Sequence, residues 1–334
     1  MHDLIIIGGG PAAAAAAFYA LEKQLDVLMV YEDLGGKVGQ RESLISSDLD
    51  AGGSVTRRYV RRGDRELAEV MPALPATQLV KILMSHAMHG GQVVHDRVVG
   101  ISHGAGFFSV EMLNQGVLSG RTVLVATGAT PRVLAAPGAD RLINQGMDYS
   151  IATYAQQVRG QRVAVIGSTQ RALLGVAELT RTAAHIFLLV PDAAALATPL
   201  GAALHHQPKV EVLIGAEIIS VCGNLALESL IVRCAGQTRR LPIERAFVDL
   251  GLVPNSDLVR GFVQTDDRGY IVVDQTNATT LPGLFAAGDV TTAAGEQALI
   301  AIGDGVRAAK SAYTYVLTDA LTRAHHAART SSGY

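Results

Sequence analysis

The sequence predicts an α/β protein of two Rossmann-like nucleotide-binding domains, the second inserted in the first. Three observations predict it. A glycine turn joins a β-branched run to an alanine-rich helix at the N-terminus. A second strand–turn–helix of the same period lies mid-chain. Near the C-terminus the chain returns to a strand ending in Gly288-Asp289, followed by a helix.

The opening unit is DLIIIGGGPAAAAAAFYALEKQLDVLMVYED. Gly8, Gly10 and Ala13 fit G-x-G-x-x-G/A where a strand feeds a helix. The first glycine allows the tight turn, and the second lets a pyrophosphate approach the backbone. The small third residue packs helix against strand, and the helix start offers free amides and a positive dipole end. The acidic residue expected for a ribose at the end of the second strand is Glu32, although strict spacing falls on Tyr31.

The second unit is QRVAVIGSTQRALLGVAELTRTAAHIFLLVPD, with Gly167, Thr169 and Ala172 in the three fingerprint places. Thr169 stands where the middle glycine belongs, and a β-branched side chain there obstructs a dinucleotide bound in the usual way. Because the Gly288-Asp289 segment completes the first fold, the second is an insertion. The expected domains are 1–129 with 247–334, and 130–246; two crossings near Gly128 and Leu250 suit a hinge.

Composition bounds the function classes. The chain has 334 residues and 49% hydrophobic content, room for two cores. A formal net charge of -2 gives no global field to attract nucleic acid or an anionic membrane. No apolar run reaches membrane-spanning length, and the first strand begins at Asp3, so a cytoplasmic protein without a leader is expected. Cys222 and Cys234 fall on two strands around Gly223-Asn224, several pairs apart, and are expected to be buried free thiols.

Taken in order, GGGPAAAAA, Gly35-Gly36, ATGATPR, VAVIG, GLVPN and LPGLFAAGDV…EQA…G make the chain similar to the low-molecular-weight thioredoxin reductases. It also resembles the ferredoxin–NADP reductases of thioredoxin reductase type. The resemblance covers nearly the whole chain and implies a two-dinucleotide-binding flavoprotein, FAD in the first domain and NADPH in the second. It further implies a homodimer and a Cys-x-x-Cys that passes electrons to thioredoxin.

Two departures matter. Anchored on Gly146 and Val163, the cysteine positions fall on Ser150 and Thr153. A hydroxyl forms neither a disulfide nor a flavin–thiol adduct, so the usual catalytic dithiol is absent. The arginines that would hold a 2′-phosphate are replaced by Val190-Pro191-Asp192, and an aspartate repels that group. NADPH binding is therefore not expected. Ser168, Gln170 and Arg171 still sit at a helix start that welcomes phosphate, so the second site is either an empty cleft closed by side chains or respecified, for instance for a second FAD.

By resemblance, Gly8, Gly10, Pro11 and Ala12 hold the FAD pyrophosphate, and Gly36, Lys37 and Val38 follow the ribityl side. Val98 meets adenine through its backbone. Ala126, Thr127 and Gly128 line the linker edge, and Gly288 and Asp289 bond the ribityl chain. Glu296, Gln297 and Ala298 bring a helix N-terminus to the flavin's pyrimidine end, where reduced flavin carries negative charge.

Three features lie outside this pattern. Arg57, Arg58, Arg61, Arg62 and Arg65 crowd TRRYVRRGDRE, either a solvated loop or a docking patch for an acidic electron carrier such as ferredoxin, or for phosphates. The tail LTRAHHAARTSSGY extends past the final family helix; Tyr334 either stacks on a partner subunit's flavin or belongs to a frayed end. His325 and His326 are adjacent, so they do not share a helix face and no metal site is expected. Two functions remain open at this point. One is an FAD oxidoreductase fed by something other than NADPH, passing electrons to an unidentified acceptor or to oxygen. The other is a redox-retired member that keeps FAD as a sensing ligand.

Overall fold

A computed structural model describes residues 1–36, 58–62, 65–69, 82–83, 85–86, 89–104, 106–293 and 295–331, the side chains of 58–69, 152–153 and 323–331 excepted. Two compact units emerge, Met1–Ala129 with Pro254–Tyr334, and Thr130–Val253. The return crossing thus falls at Val253–Pro254 rather than at 246–247. The strand Arg245–Val248 pairs in parallel with Arg162–Ile166 and so belongs to the inserted unit.

In the first unit, β1 (His2–Ile7) leads through the Gly8–Gly10 turn to the helix Pro11–Glu22 and then to β2 (Val27–Tyr31). After the hairpin β3 (Arg58–Arg62) and β4 (Arg65–Glu69) come β5 (Gln92–His95), β6 (Val98–Gly104), β7 (Phe107–Met112) and β8 (Gly116–Val125). The main sheet runs β5-β2-β1-β8-β7-β6. Strands β5, β2, β1 and β8 pair in parallel, while β6 and β7 form an antiparallel extension of β8.

Both faces of β1 are covered, which is why it reads as an unbroken apolar run. Leu4 and Ile6 join a core with Ala12, Ala13, Ala14, Ala16 and Ala17 and with Ala308, Ala309 and Ala312 of the C-terminal helix Ala298–Ser331. Ile5 and Ile7 face the opposite core with Val98, Phe108 and Val259. Alanines let the two helices approach closely: a Cβ at Gly305 would stand 2.1 Å from the carbonyl oxygen of Ala12.

The inserted unit opens with β9 (Ala129–Pro131), the helix Ala139–Leu142, β10 (Met147–Asp148) and the short helix Ile151–Tyr154. Next come β11 (Arg162–Ile166), the helix Gln170–Leu179, β12 (His185–Val190), the helix Pro199–His205 and β13 (Val210–Ile214). The strands β14 (Glu217–Gly223), β15 (Leu227–Cys234) and β16 (Gln237–Pro242) form an antiparallel sheet, followed by β17 (Arg245–Val248) and β18 (Leu252–Pro254). The parallel sheet runs β10-β17-β11-β12-β13. Its Ala164 and Ile166 pack on the antiparallel sheet through Leu230, Val232 and Leu241. Its Val163 and Val165 pack on the helices through Ile151, Leu173 and Leu204. A last strand, β19 (Leu284–Ala286), returns to the first unit and pairs with β8.

Three expectations change. The arginine-rich excursion is not a plain loop, because β3 and β4 pair with Arg58 opposite Glu69 and Arg61 opposite Glu66. The segment 321–331 is not a separate tail but the end of the C-terminal helix, since no glycine or proline interrupts it before Gly333. The two cysteines are free but half-buried, not buried; Cys222 stands opposite Ser229 on β15 and Cys234 opposite Gln237 on β16.

Candidate functional site

Each parallel sheet delivers a glycine turn to its C-terminal edge, where open α/β sheets bind ligands. The two turns share a framework. Gly8 has φ +133°, and a Cβ there would lie 2.3 Å from the Ala126 carbonyl oxygen; Gly167 has φ +137°, with 1.9 Å to the Asp249 carbonyl oxygen. Both amides bond the end of the next strand, Gly8 to Val30 at 2.8 Å and Gly167 to Leu189 at 3.0 Å. Only glycine fits either place.

At the N-cap the turns diverge. In the first, Gly10 caps the helix without a side-chain bond, and a Cβ built there meets nothing within 4 Å. That open space over a helix start fits a pyrophosphate cradle. Gly36, at φ +53°, closes on it, its own Cβ position lying 3.3 Å from Gly10 Cα, and Gly35 N–H bonds the Gly9 carbonyl at 2.7 Å. Pro11 takes the first helical position and Ala12 is buried behind it. Gly288, at φ +75°, brings its corner to the same helix start, where a Cβ would be 3.2 Å from Ala12 Cβ. Asp289 follows half-buried, and Gln297 and Ala298 open the C-terminal helix after Glu296, with their surfaces exposed or partly so. Gly10, Ala12, Gly36 and Gly288 thus meet around one space, a donor and shape set that suits FAD. Lys37, Val38 and Tyr334 lie outside the described residues.

At the far end of β2, Tyr31 turns to the His95 ring, 5.2 Å between centroids, whereas Glu32 presents its carboxylate to Arg97. Arg97 Nε donates at 2.9 Å, a second bond runs from Nη2, and the pair holds Glu32 below the usual carboxylate range. Val98 opens β6 beside this pair and is buried. The Asp96 carboxylate accepts the amides of Arg97, Asn114 and Gln115, which fixes the loop beneath it. On the linker side, the Thr127 hydroxyl is used internally: it donates to the Asn255 carbonyl at 2.6 Å, and Asn255 Nδ2 returns a bond to the Thr127 carbonyl at 2.9 Å. Ala126 is buried and Gly128 is at φ +69°. Gly9, Arg97 and Asn255 are residues that sequence reasoning missed. The middle glycine of Gly8-Gly9-Gly10 is a legible signal, because a Cβ at Gly9 would lie 2.2 Å from the Asp33 carbonyl oxygen. Nothing in the sequence pairs Glu32 with Arg97.

In the second turn Thr169 occupies the N-cap, and its hydroxyl accepts the Ala172 amide at 3.0 Å. Arg171, expected to face a phosphate, is instead clamped by buried Asp249 through Nε and Nη2, both at 2.7 Å. Asp192 caps the short 3-10 helix Ala193–Ala197 by accepting the Ala194 amide at 2.8 Å. The cleft is not closed by side chains. It measures about 470 Å³ and is walled by Leu134, Ile166, Leu189, Pro191, Ile218 and Leu250, among others. A second hollow of about 440 Å³ beside Glu22, His86 and His89 lies at the opposite end of the first helix from its glycine turn. Among the described residues no cluster of His, Cys, Asp or Glu could hold a metal ion. Ser150 stands at the N-cap of the helix Ile151–Tyr154 with Thr153 inside it, so the two cysteine positions keep adjacent places on a helix start.

Comparison with known proteins agrees with this architecture. The family model described as pyridine nucleotide-disulphide oxidoreductase matches residues 2–305. The chain belongs to that family. Members of this oxidoreductase family are FAD-dependent and typically use NAD(P)H. The chain is 30% identical to alkyl hydroperoxide reductase F of Xanthomonas campestris pv. phaseoli, over 94% of its own length and 57% of that protein's. It is 29% identical to an NADH dehydrogenase of Bacillus subtilis, over 94% and 58% respectively. It therefore spans rather over half the length of these curated relatives. The oxidoreductase fold also matches thioredoxin reductase from Streptococcus pyogenes, TM-score 0.76 and 23% identity, over 95% of this chain and 99% of that one. Thioredoxin reductase from Giardia duodenalis gives 0.75 and 21%, over 95% and 99%. No described helix is long and apolar enough to cross a membrane.

Proposed function

We propose that this chain is an FAD-dependent oxidoreductase that holds its flavin in the first unit, lacks the dithiol relay and does not draw electrons from NADPH. One observation carries the reading: two turns of the same framework differ at the N-cap, open at Gly10 and filled by Thr169. Bound FAD supplies hydride and one-electron chemistry at its ring system. The chain's own share is binding and orientation. Gly8, Gly10 and Gly36 admit the pyrophosphate, Glu32 meets the ribose, and Asp289 meets the ribityl hydroxyls. The start of the C-terminal helix, at Glu296, Gln297 and Ala298, turns a positive dipole end toward negative charge on the ring.

Ser150 and Thr153 offer hydroxyls in place of thiols, and Cys222 and Cys234 sit on separate strands without a disulfide. Val190-Pro191-Asp192 leave the 2′-phosphate of NADPH without a counter-charge, and Arg171 is already held by Asp249. The donor is proposed to be a ferredoxin-like carrier and the assembly a homodimer in the cytoplasm. The names of the curated relatives, a reductase and a dehydrogenase, support electron transfer. The loss of both relay and NADPH motifs favours a second reading, a flavin-bound redox sensor.

Anaerobic reduction separates the readings. Purified protein is mixed in turn with NADPH, NADH and reduced ferredoxin while the flavin's visible absorbance is followed. Bleaching by reduced ferredoxin and none by NADPH supports the oxidoreductase. Bleaching by dithionite alone supports the sensor, and rapid bleaching by NADPH removes the proposal.

A further inference from the structure

The cleft of the inserted unit is open, and its described lining offers no cationic side chain. About 470 Å³ lies within the range of small-molecule sites, which are mostly apolar with a few polar groups. Its walls are Leu134, Ile166, Leu189, Pro191, Ile218 and Leu250, and its described lining contains no lysine, arginine or histidine. The two charges that do line it are each matched by an arginine. Asp249 carries Arg171 on both oxygens, and Glu217 carries Arg233 at 3.0 Å. A phosphate entering this space would meet carboxylates whose arginines are already engaged, and no lysine, arginine or histidine of the described lining to replace its lost water, which is unfavourable. One helix-start amide is also taken, because the Thr169 hydroxyl accepts it from Ala172, and the Thr169 side chain stands where Gly10 leaves open space in the first turn. The Ser168 hydroxyl, half-buried in the lining, remains able to bond a neutral polar group. Leu250, in the same lining, is 38% exposed.

We propose that the cleft between Thr169 and Leu250 binds an uncharged aromatic small molecule carrying a hydroxyl or carbonyl, in place of any dinucleotide. This rests on the reading that NADPH does not enter the inserted unit, but not on where the flavin lies. Burial of one two-ring aromatic face against these walls supplies the affinity, and charge exclusion supplies the selectivity.

A matched pair of probes tests it on the full FAD-loaded chain. 1-Naphthol and 1-naphthyl phosphate share one ring system and differ in charge. Equilibrium dialysis is expected to show saturable binding of 1-naphthol at one site per chain, at least tenfold tighter than 1-naphthyl phosphate. NADPH is expected not to displace it. Leu250→Arg, at an exposed position where folding tolerates the change, should weaken 1-naphthol at least tenfold and improve the phosphate. Ser168→Ala should weaken 1-naphthol severalfold with the fold unchanged by circular dichroism. The proposal is overturned if the phosphate or NADPH binds as tightly as 1-naphthol, if no saturable 1-naphthol site exists, or if Leu250→Arg leaves it unchanged. A second FAD per chain at saturating flavin, lost in Leu250→Asp, also overturns it. Failure here leaves the flavin content and ferredoxin reduction of the protein as they are, so it is distinguishable from failure of the proposed function.

Discussion

A single Cβ separates two kinds of glycine in the first turn. Gly8 and Gly10 look alike in the sequence, yet a Cβ at Gly8 runs into the Ala126 carbonyl oxygen at 2.3 Å and one at Gly10 meets nothing within 4 Å. The first glycine is required by the folded chain, and the second leaves open space over the helix start, where the proposed flavin would lie. Gly8→Ala should therefore unfold the protein at markedly lower temperature, an overpacked and φ-strained site costing roughly 1–3 kcal/mol or more. Gly10→Val should leave the melting of flavin-free protein nearly unchanged and abolish FAD retention. Melting curves of flavin-stripped variants and flavin content by acid release check both. Loss of fold in Gly10→Val would mean that the open space is filled by protein rather than cofactor.

At the scale of the element, the C-terminal helix both builds the core and braces the Gly288-Asp289 corner. Its first half is legible in the sequence, because small residues at Ala301, Gly305, Ala308 and Ala312 face the alanine run of the first helix. Its last turns are not, because Arg, His and Ala without an apolar stripe carry no periodic signal. The hairpin at 58–69 escapes for a related reason: arginines on a two-sided polar ribbon give no hydrophobic alternation to read. Nor is the helix's buried carboxylate foreseeable. Asp304 is 4% exposed, accepts the Gly288 amide and pairs with Arg307 at 3.0 Å, which also donates to Asn277 at 3.2 Å. Asn277, buried at φ +62°, bonds the Ala286 carbonyl at 3.0 Å, so the network encloses the Gly288-Asp289 corner. Burial raises the Asp304 pKa against the opposing pull of Arg307, with Asp289 adding to the rise. A folded value above the unfolded one means the folded chain binds the extra proton between the two. This group's contribution to stability thus grows as pH falls through the folded value and is least above it. Asp304→Asn should flatten that dependence in melts across mildly acid pH and weaken FAD binding roughly tenfold by loosening the corner. An unchanged pH profile would show that the carboxylate does not titrate in this window.

For the whole molecule, one framework is used twice with opposite outcomes, and the duplication was legible while the outcome was not. Gly8 against Ala126 repeats as Gly167 against Asp249, which spacing and glycine placement announce. Whether the second turn keeps a ligand depends on Asp249 reaching Arg171 from the end of a strand distant in sequence, and no local pattern records that pairing. The inserted unit also differs in how it is closed. Its parallel sheet is covered on one face by its own antiparallel sheet and on the other by its own helices, with Phe187, Leu230 and Leu241 in one core and Val176, Leu179 and Ile186 in the other. All these residues come from the uninterrupted segment Thr130–Val253. A chain of that length with two internally completed cores buries enough apolar surface to fold alone. Residues 130–253 expressed separately should therefore melt cooperatively, with coincident transitions by far-ultraviolet circular dichroism and by tyrosine fluorescence. The same fragment should bind no FAD, because Gly10, Gly36 and Gly288 lie outside it. A non-cooperative melt would show that its stability depends on the first unit, and retention of flavin by the fragment would move the cofactor site to the second turn.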